Sequence, residues 1–188
     1  MNTLEVAAAV LDALNQVQAS YLMVGALSSN LYGIPRNTND ADFVFAAATT
    51  DVSAIAAVLG AGFRLDPQLS FESITMTLRR VITHIETGFL IEFFELSDDP
   101  HDQMRFRRRQ QMPFLNRRIF VPTVEDVIVA KLRWSKHVRR SKDIDDVKNI
   151  LVVQDMANID LPYIRTWAQA HHTIDLLNQL LADTGPKP

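Results

Sequence analysis

At 188 residues, with 47% hydrophobic and 22% charged side chains and a net charge of -3, the chain has the composition of a globular protein with a substantial core. It has no cysteine, which excludes disulfides and thiolate metal sites. No apolar run reaches the length of a membrane span, and Met1 to Gln16 carries acids and no basic leader, so a cytoplasmic protein without a membrane partner is expected.

The first predicted element is a helix from Thr3 to Gln18, with Leu4, Ala7, Ala8, Leu11, Leu14 and Val17 at helical spacing and Thr3 as N-cap. Tyr21 to Val24 reads as a short apolar strand. Gly25 permits a sharp turn, Ala26 to Tyr32 forms a short helix, and Gly33 with Pro35 ends it. Asp40-Ala41-Asp42-Phe43-Val44-Phe45 is a second strand. Residues two apart share a strand face, so Asp40 and Asp42 point the same way, about 7 Å apart at the backbone, and Ala41 and Phe43 take the other side. Two like charges on one face repel. A divalent cation gives them a reason to be there, because Mg²⁺ takes one or two carboxylates together with substrate phosphates. The backbone N–H groups after Gly25 are suited to those phosphates. The plainer alternative is a polar turn over 37–40 with Asp42 as its solvated neighbour.

Asp51 opens a helix over Val52 to Leu59, closed by Gly60-Ala61-Gly62, and Phe63 to Leu65 is a short strand. Asp66 to Ser73 reads as a loop. Met76 to Glu86 and Phe89 to Leu96 are strands joined by a two-residue turn, Thr87-Gly88. Glu92 lies in an apolar run and faces opposite to Ile91 and Phe93. It is either paired inside the fold or solvated on an edge strand, since an unpaired buried charge costs several kcal/mol.

Asp98 to Asp102 caps a short helix that carries Arg105, Arg107, Arg108 and Arg109, with Arg117 and Arg118 beyond it. This basic run is either a solvated helix face or a contact for the phosphates of a nucleic-acid acceptor. Phe106 and Phe114 fit core packing as well as base stacking, and His101 reads as a surface or capping residue. Arg118 to Val121 is a strand. Thr123 then caps a helix running from Val124 to about Val138, with Lys131 on it. Ser141 to Leu151 begins another, with Asp143 and Asp146 on one face. Arg139 and Arg140 lie between the two. Two amphipathic helices follow, 161–170 and 173–181, with His171 as a C-cap at their junction and a frayed end over 184–188. The elements add up to an α+β fold, a mixed and mostly antiparallel sheet backed by helices. Its α/β core spans 1–122 and its helical C-terminal part 123–188.

Gly25, Gly33, Arg36, Thr38, Asp40 and Asp42 together match a known pattern, Gly-x-x-Ala-x-x-x-x-Gly-x-x-Arg-x-Thr-x-Asp-x-Asp. The chain resembles the nucleotidyltransferase superfamily of the polymerase-beta type, and within it the AbiEii-like branch, which includes toxins of abortive-infection systems. Ser28 stands where that branch often has Ala, and Ala26 replaces the usual second Gly or Ser. Ile91-Glu92-Phe93-Phe94 resembles the slot of the third metal-binding acid, with Glu in place of Asp. Lys131 matches the lysine of Glu-Asp-x-Ile-x-x-Lys-Leu, and Asp143 with Asp146 matches the Asp-x-x-Asp helix that follows.

The resemblance implies a nucleotidyltransferase-like fold that transfers a nucleoside monophosphate from an NTP to a hydroxyl of an RNA such as tRNA, or of a protein. It implies two Mg²⁺ ions on Asp40, Asp42 and Glu92, with Glu92 as base toward the attacking hydroxyl. Gly25, Ala26, Ser28, Arg36, Thr38 and Lys131 would hold the nucleotide, and Asp143 would support the site or fix Lys131 and Arg139. Helix-dipole complementarity accounts for Lys131 and Asp143 equally well. An antitoxin partner follows from the toxin branch. Ala26 and Glu92 leave room for a catalytically degenerate nucleotide-binding or partner-binding module, and the oligomeric state is not legible.

Overall fold

The computed structural model describes residues 1–137 and 141–184; Arg139, Arg140 and the expected frayed end after Thr184 lie outside these. The chain forms two units, Met1–Leu27 with Asn37–Val121, and Ser28–Arg36 with the segment from Pro122 onward. Among the described residues no helix is long and apolar enough to cross a membrane.

Unit one is built on a mixed sheet. Its strands are β1 (Tyr21–Val24), β2 (Asp40–Phe45), β3 (Phe63–Leu65), β4 (Ser70–Glu72), β5 (Thr77–His84) and β6 (Leu90–Glu95). The order is β1-β2-β6-β5-β3, with β4 also paired to β5. Among the described strands β2 and β6 run parallel and the other pairings are antiparallel, the mixed, mostly antiparallel sheet that was expected. One sheet face carries the apolar core. Ala41, Phe43, Ile82, Ile91 and Phe93 on it are at most 1% exposed, and the Phe43 and Phe93 rings stack at 5.4 Å.

Helices α1 (Thr3–Gln16), α3 (Val52–Leu59) and α4 (Pro100–Arg107) flank this sheet, and α2 (Gly25–Ser29) starts in unit one and ends in unit two. α1 buries Val6, Val10, Leu11 and Leu14, the stripe its period requires. Its cap is Asn2 rather than Thr3. Asn2 Oδ1 accepts from the Glu5 amide at 3.0 Å and Glu5 Oε2 accepts from the Asn2 amide at 2.8 Å, a reciprocal pair that Thr3 does not make.

Three further expectations need correction. The segment expected as a loop at 66–73 contains β4. The turn before β6 spans four residues, 85–88, because the His84 amide donates to the Phe89 carbonyl and the Gly88 amide to the His84 carbonyl, both at 2.9 Å. His101 is fully buried rather than at the surface, since α4 turns the face made by His101, Asp102, Arg105 and Phe106 inward. A second ribbon, β7 (Gln110–Phe114) with β8 (Arg117–Val121), turns through Leu115 and Asn116, both with positive φ.

Unit two consists of α5 (Val124–His137), α6 (Ser141–Val153), α7 (Leu161–Ala170) and α8 (Ile174–Thr184), with residues 28–36 docked among them. α5 packs on α6 and α7, and α8 packs on α6 and α7. The acids that open α5 also serve packing: Asp126, fully buried, accepts from the Tyr163 hydroxyl at 2.6 Å, and Glu125 accepts from the Asp160 amide at 3.2 Å. Gly33 does more than end a helix. A Cβ there would stand 3.0 Å from the Ile150 amide nitrogen, so only glycine lets this segment lie against α6 without displacement. Tyr32 ties it down by donating to the Pro122 carbonyl at 2.7 Å and accepting from Gln154 at 2.6 Å.

Candidate active site

Within unit one the site begins at Gly25, which follows β1 with φ +66°, a conformation that side-chain-bearing residues adopt only at a cost. A Cβ on Gly25 would stand 1.8 Å from Asp42 Oδ2 and 2.8 Å from Asp42 Cγ. The Asp42 carboxylate therefore fills the space a side chain would take and lies directly against the backbone turn. Asp40, two residues earlier on β2, shares its face, and both are half-buried, while Ala41 and Phe43 enter the core. The Thr38 hydroxyl donates to Asp40 Oδ1.

Strand register adds a third carboxylate. In the parallel pairing of β2 with β6, Asp42 lies opposite Glu92 and Asp40 opposite Leu90, and residues opposite one another share a face. Asp40, Asp42 and Glu92 thus form one acidic patch on the side of the sheet away from its aromatic core. Glu92 has a partner already. Arg79, on β5, donates from Nη1 to Glu92 Oε1 at 2.8 Å. Sequence reasoning missed Arg79. The signal was present in the hairpin, since alternate β5 residues must share the Glu92 face.

Replacing Gly25 by alanine is expected to destabilise unit one by at least about 1–2 kcal/mol from the left-handed backbone alone. It must also expel the Asp42 carboxylate. A thermal melt and a transfer assay on the variant check both effects, and an unchanged assay would remove Gly25 from the site.

The residues expected to hold nucleotide from the other motifs meet within unit two. Lys131 on α5 is 9% exposed and donates from Nζ to Asp143 Oδ1 at 2.8 Å; it also pairs with Asp146 Oδ2 at 2.8 Å. Arg36 grips Asp146 with two hydrogen bonds, Nε to Oδ1 at 2.7 Å and Nη2 to Oδ2 at 3.1 Å, and the Ser29 hydroxyl adds a third donor at 3.3 Å. The centre of this cluster is Asp146 rather than Asp143. Burial by itself would push its carboxyl up, but the hydrogen bonds from Arg36 and the charge of Lys131 outweigh that and hold its pKa below the usual value. Two cations face two carboxylates here, so Lys131 and Arg36 are neutralised within their own unit. Ala26 and Ser28 are buried, at 5% and 2% exposed.

Three arginines of the basic run have partners within unit one. Arg105 pairs with Asp102 at 2.9 Å, both buried. Arg117 grips Asp12 through Nε and Nη2 at 2.7 and 2.6 Å. Arg109 lies over the rings of Phe106 and Phe120, at 4.4 and 5.2 Å, and donates to the Phe106 carbonyl at 2.6 Å; burial lowers its pKa.

No family profile matches the chain, and no curated protein matches its sequence. Solved structures do match its fold. The antibiotic-resistance factor ANT(2'')-Ia, in its complex with adenylyl-2''-tobramycin, superposes with a TM-score of 0.63 at 11% identity, over 92% of this chain and 98% of that one. A Thermotoga maritima protein classed as a nucleotidyltransferase gives 0.54 at 16% identity, over 76% and 89%. An antigenic nucleotidyltransferase-like protein of Paracoccidioides brasiliensis gives 0.54 at 14% identity, over 95% and 92%. The chain has the nucleotidyltransferase fold.

Proposed function

We propose that this chain is a metal-dependent nucleotidyltransferase that moves a nucleoside monophosphate from an NTP to an acceptor hydroxyl. The observation that carries this reading is the placement of Asp40 and Asp42 on one strand face, with the Asp42 carboxylate seated against Gly25. Hard oxygen donors on neighbouring positions suit Mg²⁺, and the space that a Gly25 Cβ would fill is given to one of them. Bound there, Mg²⁺ would neutralise triphosphate charge and favour departure of pyrophosphate.

The chain's own residues do the rest. Asp40 and Asp42 hold the cation, Thr38 orients Asp40, and Gly25 lets the turn approach without a side chain. The acceptor oxygen bonds to the α-phosphorus, the bond from that phosphorus to the β-phosphate oxygen breaks, and pyrophosphate leaves with the electron pair. The hydroxyl proton passes to Glu92, whose Oε1 is held by Arg79. Rate then comes from alignment and charge rather than covalent chemistry.

The resemblance points to RNA or protein as the acceptor, and to a toxin role with an antitoxin partner. A small hydroxylated acceptor is the second reading. It is favoured by the buried pairing of Arg105 with Asp102 and the packing of Arg109 on Phe106 and Phe120, which take two cations from any surface that would track a nucleic-acid backbone. The test is incubation with each α-labelled NTP and Mg²⁺ against tRNA, bulk protein and an aminoglycoside. We expect labelled acceptor and equimolar pyrophosphate with one class. Nucleotide binding without incorporation in any class would make the chain a degenerate binding module, and growth arrest on expression that Asp42→Asn relieves would support the toxin role.

A further inference from the structure

Glu92 has a strand neighbour on each side. On β2 it is Asp42, directly opposite; on β5 it is Val81, whose side chain is apolar. Arg79 lies opposite Phe94, two residues further along β6 and on the same face, so it reaches Glu92 along the diagonal. Diagonal positions on paired strands stand about 7–8 Å apart, a gap that only long side chains close. Here the guanidinium and the carboxylate close it at 2.8 Å, from Nη1 to Oε1. The bond depends on the length of both side chains. An aspartate at position 92 would draw its carboxylate back by one C–C bond, about 1.5 Å.

Among the described residues, Arg79 and Glu92 each have the other as their only side-chain hydrogen-bond or ion-pair partner. One carboxylate oxygen is therefore anchored, while Oε2 is left without a protein donor on the face that Glu92 shares with Asp42. The two side chains are 33% and 18% exposed, and an ion pair so placed adds little to stability. What it does provide is orientation. A lone glutamate samples several staggered rotamers, whereas one anchored at Oε1 presents Oε2 in a fixed place.

We infer that Arg79 is a positioning residue for the transfer reaction: by holding Oε1 it fixes Glu92 so that Oε2 meets the acceptor hydroxyl and takes its proton. Arg79 also sets the distance that makes glutamate, and not aspartate, the residue required at position 92. This rests on the reading above of Glu92 as the base.

A double-mutant cycle tests it, with kcat and the NTP KM measured for Arg79→Gln, Glu92→Gln and the two combined, on the acceptor class that the wild type labels. Glu92→Gln is expected to lower kcat by about 10²–10⁴-fold, the range for loss of a general base. Arg79→Gln is expected to lower kcat by about a hundredfold, and by no more than Glu92→Gln does, with the NTP KM unchanged. The combined variant should match Glu92→Gln alone, because Arg79 then has no base to place. Glu92→Asp keeps the charge but does not span the diagonal, so its kcat should fall about as far as that of Arg79→Gln. The inference is overturned by wild-type kcat in Arg79→Gln or in Glu92→Asp, and by an Arg79→Gln loss that persists in the Glu92→Gln background. If Arg79→Gln does not fold, Glu92→Asp decides by itself. The underlying reading fails by a different result: wild-type kcat in Glu92→Gln, or no transfer by the wild type to any acceptor.

Discussion

Asp42→Asn is expected to lower nucleotidyl transfer by about three orders of magnitude, the scale seen when one group that stabilises transition-state charge is removed. The amide has the shape of the carboxylate and can keep its seat against Gly25, so the loss is one of charge. Asp40→Asn is expected to fall similarly. Asn keeps the size of Asp, so both variants are expected to stay folded, with stability within about 1 kcal/mol of wild type. The loss of activity is then one of chemistry rather than of folding. Steady-state incorporation and a denaturant melt on the same samples check the pair of effects. Transfer within tenfold of wild type, or a protein that no longer folds, would count against the site as described.

The largest loss of stability is expected from Asp146→Ala, at about 3–5 kcal/mol, the range for removing one partner of a buried ion pair. Three side chains of unit two converge on this carboxylate, and Lys131 beneath them is 9% exposed. Without Asp146, Lys131 keeps only Asp143 among its acidic partners here, and Arg36 loses both hydrogen bonds to that group. Urea unfolding measures the cost. A change below about 1 kcal/mol would mean that the cluster contributes no more than a surface pair.

The same residue sets a pH dependence. The folded state holds the Asp146 carboxyl below its ordinary value, whereas the unfolded chain titrates near pH 4. The folded state therefore binds the proton more weakly. The stability that Asp146 provides is full above the unfolded pKa, and it is lost as pH falls through the lower folded value. Wild type is expected to lose stability on acidification below about pH 4 more steeply than Asp146→Asn, which has no proton to take up there.

Local rules reached a good part of the fold. β1 and α3 have the predicted ends, and Asp51 caps α3 through its bond to the Ser53 amide at 2.8 Å. Asp143 and Asp146 share a helix face as their spacing requires, and His171 caps α7. The misses involve pairing and packing partners. β4 and β7 show no strand alternation of their own in the sequence, and they exist because β5 and β8 pair with them. His101 was misplaced because the burial of a helix face depends on what the helix packs against.

By itself the sequence determined that Gly25 must turn and that Asp40 and Asp42 must share a face, because backbone sterics and the two-residue strand period depend only on near neighbours. The tertiary structure alone decided that Glu92 stands beside Asp42 and is paired with Arg79, and that Asp146 is the hub joining Ser29, Arg36 and Lys131. These contacts bring together residues 13 to 117 positions apart. Which of them form is set by strand register and helix packing, and the free energy that selects a register comes from burying whole faces rather than from any one residue.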